Sequence, residues 1–261
     1  MVYLGGHFTF LQGRGMLIKA VGFDFVETLV HVSVNHELCM KNLVESLRAE
    51  GIRFSPDDFS LNYSAVIHKY RHVREVLYKE VSNETWVSEA LGLLGHSVDS
   101  GSEVVKRAVD AYFQPYIDSL TLSPGTLVTL SKVHRRFSTG LISNFTVARV
   151  IHKCLERLGL TRLLDRVIVS EEIVWRKPHP NIFKELVRSL NVEPEEAVFV
   201  GDSLVHDVYG AKNSGLRAVW IVGGSNSMME HPVTCFDVKK IEPDFRISSI
   251  CEVLDILDEI A

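Results

Sequence analysis

The chain of 261 residues exceeds a typical single domain, which predicts one large α/β domain or a domain that carries an insert. Its composition, 46% hydrophobic and 23% charged, is typical of a soluble globular protein and excludes a disordered chain or a fibre. The net charge of −5, without a basic stripe, argues against a nucleic-acid partner, although local positive charge could still bind a small anion. No apolar run approaches the roughly 18 residues of a membrane helix, so we expect no membrane partner either.

The start of the chain does not have the pattern of a signal peptide, because residues 1–15 lack a basic segment followed by a continuous apolar one. We expect these residues to be a loosely ordered extension, with Met16 as a candidate for the natural start. The cysteines are far apart and show no C-x-x-C spacing, which predicts reduced thiols in a cytoplasmic protein. They are Cys39, Cys154, Cys235 and Cys251.

The first predicted element is a strand in the stretch from Leu17 to Leu29, an apolar run that reaches an acid at Asp24. A short run rich in branched and aromatic residues indicates a buried parallel strand, and ligands bind outside the carboxyl ends of such strands. Asp24 is therefore a candidate nucleophile or metal ligand. Thr28, four residues later, could direct its hydroxyl toward the same bound group.

Four helices without an intervening strand are predicted next, over residues 34–51, 56–81, 84–94 and 103–120. Met40, Leu43, Val44 and Leu47 form one apolar helical face, and Gly51 is placed to end that helix. This block predicts a helical cap, residues 33–120, inserted into a core made of residues 16–32 and 121–261.

From residue 121 the pattern alternates between helices and strands, which specifies a parallel sheet with right-handed crossovers. Helices are predicted over residues 126–133, 147–158, 180–190 and 249–260, strands over 137–144, 166–169, 197–202, 217–222 and 245–247, and a loop over 223–243. The predicted fold class is α/β, a Rossmann-like parallel sheet core with an inserted α-helical cap domain.

Polar residues follow three later segments of this alternation. Ser143 and Asn144 end one strand, Lys177 precedes a helix that begins with a proline, and Asp202 ends another strand with Asp207 five residues on. Each feature alone is common, since an acid after a strand often forms a turn and Ser-Asn often caps a helix.

Asp, then Ser, then Lys, then Gly-Asp-x4-Asp, in that order from Leu17 to about Leu257, resembles the haloacid dehalogenase superfamily of hydrolases. The resemblance implies that Asp24 attacks the substrate and forms a covalent intermediate, while Lys177 neutralises oxygens. It also implies that Thr28, Ser143 and Asn144 donate hydrogen bonds to the transferring group. Magnesium is the implied cofactor, bound by Asp24, Asp202 and the backbone carbonyl of Val26, with Asp207 behind them.

Val26 departs from the pattern of the superfamily's phosphatases, which usually have there a second Asp that protonates the leaving alcohol and activates water. Because such help is typically worth ~10²–10⁴ in rate, we expect slow turnover of alkyl phosphates and less loss with halides, acyl phosphates or aryl phosphates. Glu27, His68 and His72 are candidate substitutes for the missing acid.

Three functions fit the sequence. The first is a magnesium-dependent phosphohydrolase that acts on a small phosphorylated substrate through an aspartyl-phosphate. The second is a 2-haloacid dehalogenase that acts on a halogenated substrate, whose leaving halide needs no proton; Arg53, Arg71 and Arg74 are candidates for its active-site arginine. The third is a catalytically weak protein that binds a phosphorylated ligand. The pattern specifies neither the substrate nor an oligomeric state.

Overall fold

A six-stranded parallel sheet forms the centre of the protein in the computed structural model, which describes residues 17–223 and 240–260. The strands are β1 (Ala20–Phe23), β2 (Val30–His31), β3 (Thr121–Leu122), β4 (Ser138–Ser143), β5 (Arg166–Val169), β6 (Ala197–Gly201), β7 (Arg217–Ile221) and β8 (Phe245–Ile247). The order across the sheet is β5-β4-β1-β6-β7-β8, so β1 lies between β4 and β6. The predicted Rossmann-like parallel sheet is confirmed.

The helices are α1 (His36–Ala49), α2 (Pro56–Lys69), α3 (Arg71–Glu75), α4 (Asn83–Leu93), α5 (Glu103–Ser119), α6 (Thr126–His134), α7 (Ala148–Arg157), α8 (Ser170–Ile173), α9 (Pro180–Leu190), α10 (Gly210–Lys212) and α11 (Val253–Ile260). Helices α1 to α5 lie between β2 and β3 and are called the helical insert below. In the described parts of the chain, no helix is both long and apolar enough to cross a membrane.

Side-chain caps start four helices of the insert. In each case a side-chain oxygen accepts the backbone N–H three residues later, which satisfies a donor that the first helical turn leaves free. The capping residues are Asn35, Ser55, Ser82 and Ser102.

The predicted helix over residues 56–81 is wrong in its second half. Helix α2 ends at Lys69, the short α3 ends at Glu75, and Tyr78 has a left-handed backbone with φ of 50°. The next residues pair with the main chain before Lys177, since the N–H of Glu80 donates to the carbonyl of Val174 over 2.6 Å. A tertiary contact has therefore overridden helical propensity here.

Other elements differ from the prediction by small amounts. The closing helix begins as a 3₁₀ turn over Ile250–Glu252, and a π-helical turn over Leu204–Tyr209 follows β6. The short antiparallel pair β2 and β3 was not predicted; it joins the two ends of the helical insert. Most of the predicted loop 223–243, together with residues 1–15, Met16 and Cys235, lies outside the described residues. The other cysteines, Cys39, Cys154 and Cys251, are free thiols.

Two glycines in the central strands allow helix α9 to lie close to the sheet. A Cβ atom on Gly22 would lie 2.6 Å from the Leu186 side chain of α9, and one on Gly140 would lie 2.4 Å from it. Leu186 is fully buried at this contact. Because α9 follows Lys177 after only two residues, this close packing also fixes where Lys177 meets the strand ends.

We therefore expect Gly22→Ala to destabilise the protein by about 1–3 kcal/mol, since the added methyl also meets Phe199 at 2.7 Å and overpacks the core. Urea unfolding would measure the loss. Gly92→Ala is the matched control: no atom lies within 4 Å of its added Cβ, and alanine stabilises a helix interior by roughly 0.5–1 kcal/mol over glycine. Equal unfolding midpoints for the two variants would contradict the packing argument.

Candidate active site

The candidate site lies at the carboxyl edge of the sheet, where β1, β4 and β6 end side by side. The N–H of Asp24, just after β1, donates to the carbonyl of Val200 in β6 over 2.9 Å and so extends the parallel ladder by one step. Ser143 is the last residue of β4, and Asp202 follows the last residue of β6. The fold thus brings together three of the strand-end residues that the sequence indicated.

Lys177 reaches this edge and joins two of the acids. Its Nζ lies 2.5 Å from Oδ1 of Asp24 and 2.6 Å from Oδ1 of Asp207. The lysine is 2% exposed, so both ion pairs are shielded from water. One carboxylate oxygen from each of Asp24, Asp202 and Asp207 lies within 4.8 Å of the other two. Three buried carboxylates therefore share one ammonium group.

The pKa values of these groups reflect this crowding. Burial raises the pKa of Asp202 to about 8, and repulsion from Asp24 and Asp207 adds to the shift. Burial likewise raises the pKa of Asp207 to about 6, although Lys177 opposes the shift. Burial alone would lower the pKa of Lys177, but the carboxylates of Asp207 and Asp24 more than offset it and raise the value to about 12. Lys177 therefore stays charged at neutral pH.

Asp207 is held by contacts to both of its oxygens. Its Oδ2 accepts the backbone N–H of Ser203 over 2.9 Å, while Oδ1 accepts from Lys177. A Cβ on Gly201 would lie 2.4 Å from the carboxyl group of Asp207, so only glycine leaves room for it. With both oxygens engaged, Asp207 is better placed to hold Lys177 than to bind a cation directly.

Asn144 makes a contact that the sequence did not indicate. Its Oδ1 accepts the N–H of Lys177 over 2.8 Å, and its Nδ2 donates to the Lys177 carbonyl over 2.9 Å. The side chain thus clamps the main chain of Lys177 on both sides. The structure gives Asn144 this positioning contact, whereas its predicted hydrogen bond to a transferring group stays a prediction.

Two buried oxygens at the site have no hydrogen-bond partner among the described residues, Oδ2 of Asp202 and Oγ1 of Thr28. Burying a polar atom without a partner costs free energy, and such atoms in a cleft indicate a ligand. The backbone of Asp202 is fixed meanwhile, since its carbonyl accepts from the indole Nε1 of Trp220 over 2.8 Å. The main chain that carries the Asp202 side chain is therefore held in position.

Val26 and the three candidates for the missing acid have different surroundings. The Val26 side chain is a hydrocarbon and has no proton to offer. It is half-buried and packs against the hydrophobic core. Oε2 of Glu27 lies 3.1 Å from Nδ1 of His31, and Glu27 has a left-handed backbone with φ of 62°. His68 and His72 are exposed on the helical insert.

Two of the three candidate arginines of a dehalogenase site, Arg71 and Arg74, bind carboxylates of the insert through their side chains. Nε of Arg71 donates to Glu75 over 2.9 Å, and Nε of Arg74 donates to Glu80 over 3.0 Å. The carbonyl of Arg53 contacts a ring nitrogen of His96 at 2.9 Å. The guanidinium groups of Arg71 and Arg74 are therefore already bound to carboxylates and are not free to bind an anion.

The helical insert contacts the loop after β4. The ring of Phe145, which follows Asn144, lies 5.1 Å from that of Phe113 and 5.2 Å from that of Tyr116, both on α5. On the adjacent helix α7, Arg149 contacts Glu84 of the insert at 2.5 Å. The insert is thus packed against the segment that carries Ser143 and Asn144.

Comparisons with known proteins agree with this arrangement. The model of the haloacid dehalogenase-like hydrolase family matches residues 18–215. Among solved structures, a 2-haloacid dehalogenase from Pseudomonas syringae superposes with a TM-score of 0.62 at 23% identity, covering 94% of this chain and all of that one. The likeness at that identity shows a shared fold. The chain belongs to the haloacid dehalogenase-like hydrolases, and the prediction of a hydrolase is confirmed.

Several curated relatives are named as phosphatases. A glyceraldehyde 3-phosphate phosphatase from Methanopyrus kandleri is 33% identical over 246 residues, which cover 94% of this chain and 99% of that protein. A ribulose-1,5-bisphosphate 5-phosphatase from Halopiger xanaduensis is 36% identical over 204 residues, 78% of this chain and 84% of that protein.

The shared ammonium leads to a stability prediction. In metal-free buffer with chelator, Lys177→Met should destabilise the protein by about 3–5 kcal/mol at pH 8, because it leaves buried carboxylates without a cation. The folded pKa values of Asp202 and Asp207 lie above their unfolded values, so stability from these groups is present at low pH and is lost as the pH rises through about 6 to 8. The decrease in the free energy of unfolding caused by Lys177→Met should therefore be smaller at pH 5, where these carboxyl groups bind protons, than at pH 8.

Urea unfolding at both pH values would measure this difference. Lys69→Met is the control, because Lys69 pairs with Glu89 at the surface of the insert, where ion pairs contribute little. A loss for Lys177→Met that did not grow between pH 5 and pH 8 would show that the carboxylates do not depend on its charge.

Proposed function

We propose that the protein is a magnesium-dependent phosphohydrolase that acts on a small phosphorylated substrate through an aspartyl-phosphate on Asp24. The observation that carries the proposal is the placement of Asp24 at the end of the central strand, with one oxygen bound by Lys177 and two further carboxylates beside it. The phosphatase relatives support the same reaction class. These relatives are named for alkyl phosphates, glyceraldehyde 3-phosphate and ribulose-1,5-bisphosphate, which this site would turn over slowly because Val26 cannot protonate the leaving oxygen.

The residues at the strand ends fit a magnesium ion. Mg²⁺ prefers a few carboxylate oxygens together with water and substrate oxygens. Asp24, Asp202 and Asp207 outweigh the charge of Lys177, and the orphaned Oδ2 of Asp202 supplies an oxygen without another partner. Asp24 and Asp202 would hold the ion, with the Val26 carbonyl as a third protein ligand and Asp207 behind them. The bound ion would neutralise negative charge on the phosphoryl group.

Asp24 would perform the first step as a nucleophile. Its carboxylate forms a bond to phosphorus, the bond from phosphorus to the leaving oxygen breaks, and that oxygen departs with its electron pair. Lys177 holds Oδ1 of Asp24, which orients the carboxylate and leaves Oδ2 for attack. Water then attacks phosphorus and releases inorganic phosphate and the Asp24 carboxylate.

The hydroxyl groups of Thr28 and Ser143 would bind the transferring group. Both residues are buried at the carboxyl edge of the sheet, and the Thr28 hydroxyl lacks a protein partner. Hydrogen bonds that are already in position stabilise developing charge without reorganisation. The helical insert, which packs on the loop after β4, would act as a cap that excludes water during this step.

Val26 limits the leaving groups that the site can handle. Its side chain cannot donate a proton, and the Glu27 carboxylate is engaged with His31. A leaving group that departs as a stable anion needs no such help. We therefore expect acyl and aryl phosphates to be better substrates than alkyl phosphates.

The same valine keeps a second candidate function, 2-haloacid dehalogenation, in consideration, because a halide leaves without a proton. The engaged guanidinium groups of Arg71 and Arg74 weigh against it. The third candidate is a protein that binds a phosphorylated ligand without turnover. Activity assays separate all three.

We expect hydrolysis of p-nitrophenyl phosphate and acetyl phosphate in the presence of Mg²⁺ and none with chelator, because the uncompensated carboxylates would repel a phosphate. Asp24→Asn should abolish turnover while thermal unfolding shows an intact fold. Asp202→Asn should raise the Mg²⁺ concentration needed for half-maximal rate. Continuous release of nitrophenolate, and phosphate release from acetyl phosphate, are the measurements.

Each alternative predicts a different result in these assays. Halide release from 2-chloropropionate without phosphatase activity would support the dehalogenase. The absence of turnover with every substrate, together with binding of phosphate, would support the third candidate, a protein that binds a phosphorylated ligand. Full activity of Asp24→Asn would exclude Asp24 as the nucleophile.

A second prediction concerns Val26→Asp. The new carboxyl group should raise turnover of glyceraldehyde 3-phosphate relative to p-nitrophenyl phosphate by about 10² or more, since it supplies general acid-base help that only the poorer leaving group needs. The ratio of kcat/KM for the two substrates is the measurement. Val26→Asn, which has the same shape but cannot transfer a proton, should leave the ratio unchanged. A similar gain in both variants would indicate a packing effect instead.

A further inference from the structure

A buried carboxylate of the helical insert, Glu80, connects the insert to the main chain around Lys177. Its side chain is 1% exposed, and it accepts hydrogen bonds from Nε of Arg74 over 3.0 Å and from the Ser170 hydroxyl over 2.6 Å. It also binds the guanidinium of Arg176 at short range. Arg74 lies in α3 of the insert, whereas Ser170 and Arg176 belong to the α/β core.

The first connection runs through the main chain before Lys177. The N–H of Glu80 donates to the carbonyl of Val174 over 2.6 Å, and the N–H of Arg176 donates to the carbonyl of Tyr78 over 2.8 Å. Residues 78–80 therefore run antiparallel to residues 174–176, with Lys79 and Trp175 opposite each other. The ion pair of Glu80 with Arg176 closes this small ladder one residue before Lys177.

The second connection runs through the loop after β4. The Ser170 hydroxyl, which donates to Glu80, accepts the N–H of Phe145 over 2.9 Å. Phe145 follows Asn144, whose side chain clamps the main chain of Lys177 on both sides. Both routes to the Lys177 main chain thus meet at the Glu80 carboxylate.

Charge explains why a carboxylate suits this position. Burial disfavours the charged form of Glu80, but Arg176 and Arg74 more than offset this effect and hold its pKa below the usual value. Burial also lowers the pKa of Arg176, although an arginine remains protonated at neutral pH. A carboxylate between two guanidinium groups forms strong, directional hydrogen bonds, and a neutral amide would keep the shape but lose the charge.

We infer that Glu80 is a positioning residue, which holds Lys177 in register with Asp24 through Arg176 on one side and through Ser170, Phe145 and Asn144 on the other. The inference rests on the proposed function in one respect, the role of Lys177 in the reaction. It assigns the insert a part in forming the active site in addition to covering it. Without the Glu80 contacts, Lys177 moves away from Asp24 more often.

Glu84 provides a matched control. Counted as whole residues, backbone included, Glu80 and Glu84 are each 8% exposed; both belong to the insert, and both pair with an arginine of the core. Arg149, the partner of Glu84, lies on α7 and bonds to Asp110 and to the carbonyl of Lys106; among the described residues, none of its hydrogen bonds reaches the main chain around Lys177. A change at Glu84 removes the same charge from the same interface by a different route.

The test is the rate at which an amine-acylating reagent modifies Lys177 in the folded protein, read by mass spectrometry of the peptide that contains it. This readout needs no substrate. Glu80→Gln should raise the rate about tenfold, because loss of the anchor increases the population in which Lys177 is exposed. Glu84→Gln should change it by less than about twofold, even if thermal unfolding shows an equal loss of stability.

Turnover provides a second readout. On p-nitrophenyl phosphate, Glu80→Gln should lower kcat about tenfold or more with little change in KM, since a small displacement of a reacting group slows the chemical step. Glu84→Gln should keep the parental kcat. If the parent itself shows no phosphatase activity, the proposed function fails, and the acylation rates still decide the role of Glu80.

Equal acylation rates in the parent and Glu80→Gln would overturn the inference. So would the same increase in Glu84→Gln, because that result would reflect general loosening of the interface. If Glu80→Gln does not fold, Ser170→Ala removes only the second route, and it should still raise the acylation rate above that of the parent. An unchanged rate in that variant would likewise overturn the inference.

Discussion

The Lys177 ammonium, buried between Asp24 and Asp207, makes the interaction on which the structure of the candidate active site depends. Three carboxylates at this distance are unfavourable in a buried site unless cations balance them. One lysine supplies part of that balance and leaves negative charge that suits a divalent cation. The same ammonium keeps one oxygen of Asp24 in a fixed place. The stability of these buried carboxylates and the orientation of Asp24 therefore depend on the same ammonium group.

Much of the fold is arranged to bring Lys177 to that place. Glycines in β1 and β4 let α9 approach the sheet, Gly201 leaves room for Asp207, and Asn144 fixes the main chain of the lysine. The helical insert contributes through Glu80, across 96 residues of sequence. Lys177 is thus held by the sheet, by the helix that follows it and by the insert, and a change in any of them can alter its position.

The sequence predicted the parts of this arrangement that have local signatures. Apolar runs ending in Asp24, Ser143 and Asp202 identified the strand ends, and Pro180 marked the helix after Lys177. The partner of Asn144 and the contacts of Glu80 could not be predicted, because they join residues far apart in the chain and have no periodic pattern. The same contacts explain the wrong helix over residues 76–81, where pairing with the core replaced helical hydrogen bonds. Val26 was visible as a departure only because the surrounding motif is regular.

The short ladder of β2 and β3 has a consequence for how proteins with this architecture diversify. Val30 pairs with Leu122, so the chain leaves the core and returns to it at neighbouring positions. Segments of very different length can be accommodated between such positions at little entropic cost, since closing a longer loop adds only about 0.6 kcal/mol per doubling of its length. The intervening segment can therefore be exchanged in evolution while Asp24 and the other strand-end residues stay in place. Glu80 restricts this freedom, because a replacement segment would have to supply an equivalent anchor for Arg176 and Ser170.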